Sequence, residues 1–313
     1  MGIIPVGIIG TGSYVPERIL TNKELEVMVE TNDEWIVSRT GIKERRLASS
    51  EQTTTDLATE AARRAIVSAG LTPEDIDLII VATITPEATF PSTACRIQER
   101  LGMKKAAAFD LAAACSGFIY GLNNASNFIA LGTYKYALVI GAETLSKITD
   151  YTDRNTCILF GDGAGAVVLG PVAEGRGFKS FELGSDGTGG DLLKVNDNGH
   201  IHMAGRDVFK FAVRVMGSTA EEALRKADLT KADIDLLVPH QANMRIIESA
   251  MERLDLSIDK CMVNLDRYGN VSAASIPLAL AEAAELGKIK EGDCLVFVGF
   301  GGGLTWGAAV LIW

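Results

Sequence analysis

The sequence runs to 313 residues, 47% hydrophobic and 22% charged, with a formal net charge of −10. That length buries one large core or two ordinary ones, and the acidic balance argues against nucleic acid as a partner. No stretch holds the roughly 18–20 uninterrupted apolar residues of a membrane helix. Five cysteines (95, 115, 157, 261 and 294) without a C-x-x-C pair read as reduced thiols of a cytoplasmic protein.

The stretch from Met1 to Gly10 has no basic n-region or cleavage site and reads as a first strand, not a signal peptide. It ends in Gly10-Thr-Gly12, where a dinucleotide loop would need a third glycine opening a helix; Tyr14-Val-Pro16 follows instead. Residues 22–30 form a short helix with a polar cap. Residues 31–46 gather Trp35, Arg39, Lys43, Arg45 and Arg46, a basic and aromatic cluster that by itself reads as a solvated surface loop. Residues 56–69 are helical, with alanines at 58, 61, 62, 65 and 69 on one face. A turn, a buried strand over 76–82, a loop holding Phe90, and a helix over 93–101 come next. The strand over 106–111 delivers Cys115, which stands ahead of an amphipathic helix over 118–131. Free N–H groups and the dipole at that helix start favour a thiolate, the nucleophilic form. On this stretch alone a buried structural cysteine stands slightly ahead, so the rest of the chain has to decide. Further strands over 136–141 and 165–169 make an α/β protein with a mostly parallel sheet covered on both faces.

The second half repeats the first. Leu71-Thr-Pro-Glu-Asp75-Ile-Asp-Leu78 returns as Leu229-Thr-Lys-Ala-Asp233-Ile-Asp-Leu236, and 158 residues separate Asp75 from Asp233. Ala65 and Ala69 align with Ala223 and Ala227, and Phe160-Gly-Asp-Gly163 with Phe300-Gly-Gly-Gly303. Three matches in one order indicate duplication, with halves at 1–171 and 172–313 and a glycine-rich insertion around 184–205. A seam between like halves is where ligands bind. There the first half brings Cys115, and the second brings His240 of Pro239-His-Gln-Ala-Asn243 and Asn270 of Tyr268-Gly-Asn270. His200-Ile-His202 beside the Asp197-Asn-Gly-His200 turn has no third ligand, so no metal is expected.

Asp33-Glu-Trp-Ile, Thr40-Gly-Ile-Lys-Glu-Arg, Ala113-Ala-Cys-Ser-Gly-Phe, Phe160-Gly-Asp-Gly-Ala-Gly-Ala, Pro239-His-Gln-Ala-Asn, Tyr268-Gly-Asn-Val-Ser-Ala-Ala-Ser-Ile-Pro and Phe300-Gly-Gly-Gly-Leu-Thr-Trp-Gly carry a resemblance over the whole chain. The sequence resembles the bacterial β-ketoacyl-[acyl carrier protein] synthase III family. The resemblance implies a duplicated thiolase-like fold, two βα halves packed as a layered α-β-α-β-α sandwich. The Cys/His/Asn set separates it from elongating synthases with Cys/His/His and from thiolases with a second catalytic cysteine.

The activity so implied has two halves. Cys115 takes a short acyl group from acyl-CoA, then condenses it with malonyl-[acyl carrier protein] to give 3-oxoacyl-[acyl carrier protein], CO2 and CoA. His240 and Asn270 would hold the enolate oxygen formed on decarboxylation, and backbone N–H groups of Cys115 and Gly302 the acyl-transfer oxyanion. By the same resemblance Trp35, Arg39, Arg154, Gly205 and Asn243 contact CoA. Lys210, Gln241, Ala242, Asn243, Met244 and Arg245 meet the acidic carrier protein. Phe90 lines the acyl pocket of a homodimer partner. No cofactor is implied beyond the CoA thioester and the phosphopantetheine-bearing substrate, and the protein is expected in the cytoplasm with no membrane or nucleic-acid partner. Acetyl, propionyl and branched primers stay open. A different acyl-CoA condensing enzyme and a catalytically silent acyl-binding protein are the rival readings.

Overall fold

The computed structural model describes residues 3–313, so Met1 and Gly2 of the expected first strand lie outside the described residues. The first half runs β1 (Val6–Tyr14), β2 (Arg18–Thr21), α1 (Asn22–Met28), α2 (Asp33–Thr40), β3 (Glu44–Leu47), α3 (Thr54–Ser68), β4 (Leu78–Ala82), α4 (Thr93–Leu101), β5 (Ala107–Leu111), α5 (Gly117–Ala130), β6 (Ala137–Thr144) and β7 (Asp162–Pro171). The second runs β8 (Gly177–Ser185), β9 (Leu193–Val195), β10 (Ile201–Met203), α6 (Gly205–Lys226), β11 (Leu236–Pro239), α7 (Met244–Arg253), α8 (Leu265–Tyr268), α9 (Ser275–Glu285), β12 (Cys294–Gly301) and β13 (Thr305–Ile312).

One sheet has the order β1-β7-β6-β4-β5 and the other β8-β13-β12-β11. Matched strand for strand, the second repeats the first four places. Its fifth place shrinks to a single parallel bridge between Leu237 and Cys261, whereas β5 pairs with β4 along its length. The expectation of mostly parallel sheets needs correcting. Only β4–β5, β4–β6 and β11–β12 run parallel; β6–β7, β1–β7, β12–β13 and β8–β13 are antiparallel. A parallel neighbour needs a crossover helix, and between β6 and β7 the only helical piece is the short turn Leu145–Ile148.

Both faces of the central strands β4, β6, β7, β11, β12 and β13 are largely buried, so their successive residues serve different layers. Ile79, Val81, Leu138 and Ile140 face outward to the alanine-rich α3 and to α4. Their neighbours Ile80 and Val139 face inward, where Phe118 and Leu122 of α5 and Ala279 and Leu280 of α9 fill the gap to Val238, Phe297 and Ala309 of the second sheet. Leu237, Val296 and Val310 pack outward on α6 and α7. The order is therefore helix, sheet, paired α5 and α9, sheet, helix. The Gly10-Thr-Gly12 pair serves this packing: a Cβ on Gly12 would fall 2.4 Å from the Ala61 carbonyl of α3.

The expected surface loop at 31–46 is instead α2 and β3. Asn32 caps α2 by accepting from the Trp35 N–H, and Gly41 ends it in the left-handed conformation (φ 81°). Arg45 on β3 is fully buried, donating to the carbonyls of Leu20 and Ile158 and to Asn22 Oδ1. Cys95 is half-buried, while Cys115, Cys157, Cys261 and Cys294 are buried; all five thiols are free.

Candidate active site

The duplication governs the site. The tight turn Ala114–Ser116 before α5 has its counterpart in Ser272–Ala274 before α9. As with Asp75 and Asp233, 158 residues separate Cys115 from Ala273. Both turns open with a non-glycine residue at positive φ, Ala114 (45°) and Ser272 (47°). The two turns meet under the sheet ends, so Cys115 faces the second half's copy of its own turn. Thr305 ties the nucleophile turn to the glycine loop, its hydroxyl lying 2.8 Å from Ser116 Oγ and donating within reach of the carbonyls of Ala113 (3.0 Å) and Gly302 (3.2 Å).

Two cavities share Cys115. The inner one, about 200 Å³, is mostly apolar, walled by Ile84, Leu145, Phe160, Leu193 and Ile201, with Ser272 and Gly302 also on its wall and the exposed Lys194 and Val195 at its edge. The outer one, about 90 Å³, brings together Cys115, His240 and Asn270 and continues past Gly205, Phe209 and Asn243. Gly301 lies against the nucleophile: a Cβ there would stand 2.6 Å from the Cys115 nitrogen. Cys115, His240 and Asn270 thus line one cavity together, and Gly302 lines the other with Cys115.

His240 follows β11, its N–H bonded to the Val298 carbonyl and its ring edge-on to Phe300 at 5.6 Å. Burial lowers its pKa to about 3, and Nδ1 has no partner among the described residues, so the imidazole stays neutral at working pH. Asn270 is held by its own backbone, which exchanges hydrogen bonds with Leu159 and Gly161. Its Oδ1 accepts from the Ser272 N–H at 2.8 Å, which commits Nδ2 to donation.

The thiol behaves differently from the helix-start argument. Burial pushes Cys115 up to about 12, with Glu143 raising it further against a Ser272 hydroxyl that lowers it. Desolvation outweighs what one helix end supplies, so the resting group is a thiol.

Around the outer cavity the Trp35 ring is flanked by two guanidiniums, Arg154 at 5.1 Å and Arg39 at 5.7 Å. Arg154 also donates to the Glu30 carbonyl. Asn243 caps α7, accepting from the Arg245 N–H, and its Nδ2 donates to the Arg39 carbonyl, locking α2 to α7. Gly205 opens α6 at the cavity wall. Arg245 lies exposed over Phe209 (5.2 Å), with Met244 half-buried beside it. Lys210 is exposed but paired with Asp207.

Two residues of the expected docking set are not on the surface. Gln241 is buried, donating to the carbonyls of Pro239 and Met262 and accepting from the N–H groups of Asn264 and Leu265. Its amide is spent fastening the His240 loop. Ala242 is buried in the outer cavity wall. Phe90 is 83% exposed and lines neither cavity of its own chain. Among the described residues no group of three metal-ligating side chains forms, and no helix is long and apolar enough to cross a membrane.

Sequence reasoning assigns no role to Thr305, Ser272 or Glu143, and reads Arg45 only as one cation of a basic cluster. The one legible signal was Glu143 itself, a carboxylate in Gly141-Ala-Glu-Thr144 at the end of an apolar strand.

Known proteins bear on this arrangement. Family models described as 3-oxoacyl-[acyl-carrier-protein] synthase III match residues 109–187, and for its C-terminal part residues 224–313. The beta-ketoacyl-[acyl-carrier-protein] synthase III of Desulfitobacterium hafniense is 59% identical over 99% of this chain and 98% of its own length. The crystal structure of the 3-oxoacyl-[acyl-carrier-protein] synthase III of Aquifex aeolicus superposes with a TM-score of 0.97 at 50% identity, covering 98% of this chain and all of that one. The Thermus thermophilus enzyme of the same name gives 0.95 at 52% identity, over 98% of this chain and 99% of that one.

Proposed function

Since this chain belongs to the 3-oxoacyl-[acyl-carrier-protein] synthase III family, with its thiolase-like fold, and is an initiating condensing enzyme of fatty acid synthesis, we propose how its residues divide the work. Cys115 is the acyl acceptor: its sulfur attacks the thioester carbon of a short acyl-CoA, and CoA leaves. Backbone N–H groups of Cys115 and Gly302 carry the oxyanion of that step. Malonyl-[acyl carrier protein] then enters the vacated channel and loses CO2. The enolate oxygen accepts from neutral His240 and from Asn270 Nδ2, and its carbon attacks the acyl-cysteine.

The observation that carries this reading is the convergence of Cys115, His240 and Asn270 on one cavity, with Asn270 Oδ1 already committed to Ser272. A histidine kept neutral by burial donates without supplying a competing positive charge that would stabilise the malonyl carboxylate against loss. Trp35 between Arg39 and Arg154 is an aromatic and cationic cradle suited to a nucleotide base and its phosphates. Arg245, over Phe209 of the outer cavity wall, and Met244 beside it suit an acidic carrier protein, whereas Lys210 lines a separate groove with Asp186, Asp207 and Arg214.

The inner cavity beyond the sulfur is the seat of the primer's acyl chain. Its apolar walls favour a hydrocarbon over a polar group. Two exposures support a homodimer: β5 is an unpaired sheet edge bearing exposed Phe109, and Phe90 is largely exposed on its own chain. The enzyme works in the cytoplasm, consistent with five free thiols.

The test is transfer of radiolabelled acetyl from acetyl-CoA to the protein, followed by chase with malonyl-[acyl carrier protein]. Label on Cys115, lost in Cys115→Ala and discharged into 3-oxoacyl-[acyl carrier protein], is the expected result. Full labelling of Cys115→Ala would end the assignment.

A further inference from the structure

Glu143 is a carboxyl that the chemistry above leaves idle. It lies at the end of β6, fully buried, and accepts only from neutral donors: the hydroxyls of Thr85 (2.5 Å) and Thr83 (3.2 Å) and the Ile84 N–H (3.2 Å). No lysine, arginine or histidine pairs with it among the described residues. A buried carboxyl without a counter-cation is costly and calls for a reason.

Its surroundings supply one. Gly141 and Glu143 share a face of β6, and that face abuts the turn facing Cys115: a Cβ on Gly141 would fall 2.1 Å from the Ala273 carbonyl oxygen. Ser272, in the same turn, is 2% exposed and lines the inner cavity with Cys115. Its Oγ makes no hydrogen bond of full geometry in the resting chain. It is nevertheless near enough to both the Cys115 thiol and the Glu143 carboxylate to favour the ionised form of each. An uncommitted buried hydroxyl therefore shares the cavity of the thiol and belongs to the turn against which the carboxylate's strand packs. The other groups facing Glu143 are Thr83, Thr85 and the Ile84 N–H after β4; on β7, the buried Asp162 is taken up by Ser146 and the Ala48 N–H.

We propose that Glu143 is a positioning residue for the Cys115 proton, accepting it through the Ser272 hydroxyl during acyl transfer and returning it. As Sγ bonds to the thioester carbon, the S–H proton moves to Ser272 Oγ and the serine's own proton moves to Glu143. When the tetrahedral adduct collapses and its bond to the CoA sulfur breaks, the proton retraces the path to that sulfur. The products are acyl-Cys115 and CoA thiol, with Glu143 again a carboxylate and no proton consumed.

Chemistry supports the division of labour. Burial holds the thiol near 12 and leaves His240 basic only near 3, so neither can begin the step unaided at neutral pH. Glu143, raised by burial to about 7, has the affinity a proton acceptor needs there.

The proposal rests on Cys115 as the acyl acceptor, and the experiment separates the two. Single-turnover acetylation by labelled acetyl-CoA is followed across about pH 5.5 to 9 for wild type, Glu143→Gln, Glu143→Asp and Ser272→Ala, with melting curves alongside. Wild type should inflect near pH 7. Glu143→Gln and Ser272→Ala should acylate about 100-fold more slowly without that inflection, and Glu143→Asp should retain it. Ser272→Ala leaves the threonine contacts of Glu143 intact, so it decides the matter if Glu143→Gln does not fold. Wild-type rates and an unchanged inflection in Ser272→Ala or in folded Glu143→Gln would overturn the proposal. An unlabelled wild-type enzyme would overturn the Cys115 assignment first, and the proton path with it.

Discussion

Glu143→Gln should also change how stability depends on pH, by an amount set by burial. In the folded protein the carboxyl sits at about 7 against an ordinary 4.5, with desolvation the leading cause and the hydrogen bonds of Thr85, Ile84 and Thr83, with the nearby Ser272 hydroxyl, opposing it. A folded-state pKa above the unfolded one means that folding favours the protonated form. That advantage is complete below about pH 4.5 and is lost as pH rises through about 7. A difference of roughly 2.5 pH units at ~1.36 kcal/mol each is about 3 kcal/mol. Glutamine does not titrate, and its exchange for Glu143 adds an offset that is the same at every pH. The other ionisable groups are common to both proteins and cancel in the difference. Urea unfolding of both proteins at steps from about pH 4 to pH 8 measures it. The stability of Glu143→Gln relative to wild type should rise by about 3 kcal/mol across that window, with the change centred between about pH 5 and 7. A difference that stays flat would mean that the carboxyl is not desolvated in the folded chain. A difference that falls would mean that an unpaired cation stabilises it, contrary to its neutral donor set.

Other substitutions probe the rest of the site. His240→Ala and Asn270→Ala should each slow malonyl decarboxylation by about 10²-fold or more while Cys115 remains acylated by acetyl-CoA. Blocked acylation with decarboxylation spared would reverse the roles. Trp35→Ala should raise KM for acetyl-CoA about five- to tenfold with kcat little changed, because a cation–π and stacking platform is worth roughly 1 kcal/mol at a partly exposed site. A fall in kcat at unchanged KM would remove it from CoA binding. Arg245→Glu should weaken use of the carrier protein but not of acetyl-CoA, and the defect should shrink with added salt. Equal loss with both substrates would count against a docking role.

The sequence carried the architecture through its periodicity and its duplication, and the site through short motifs. Asp75 and Asp233 anchor matching caps, with Thr72 and Thr230 in the same capping box. That repeat located the seam before any contact was visible. Strand direction was less legible, because buried strands look alike whichever way they run, and the lack of a helix between β6 and β7 carries only a faint signature. Charged residues whose surroundings are assembled from afar were the least legible. Arg45 reads as one more cation in a basic run, yet the carbonyl that captures it belongs to Ile158. Gln241 sits in a motif read as surface and is instead consumed by four backbone groups.

The symmetry also explains why one cysteine suffices. At the position where the second half could have carried its own nucleophile stands Ala273, a side chain with no chemistry. The residues around it have taken up other work instead. Asn270, three positions earlier, fixes its Oδ1 on the turn and leaves Nδ2 to donate, while Ser272, one position earlier, keeps a buried, uncommitted hydroxyl in the cavity that it shares with the thiol. Ser272 keeps the positive φ that Ala114 has beside the cysteine, so the backbone of the turn is retained although its nucleophile is absent. A copied turn facing its original brings supporting groups close to the reacting sulfur without a new loop. It requires only that the strand behind, β6, stay bare enough at Gly141 for the turn to approach, which is what a Cβ 2.1 Å from Ala273 would prevent. Gly141→Ala should therefore disable acylation by shifting Ser272 and Ala273 together, although Gly141 touches neither substrate nor nucleophile.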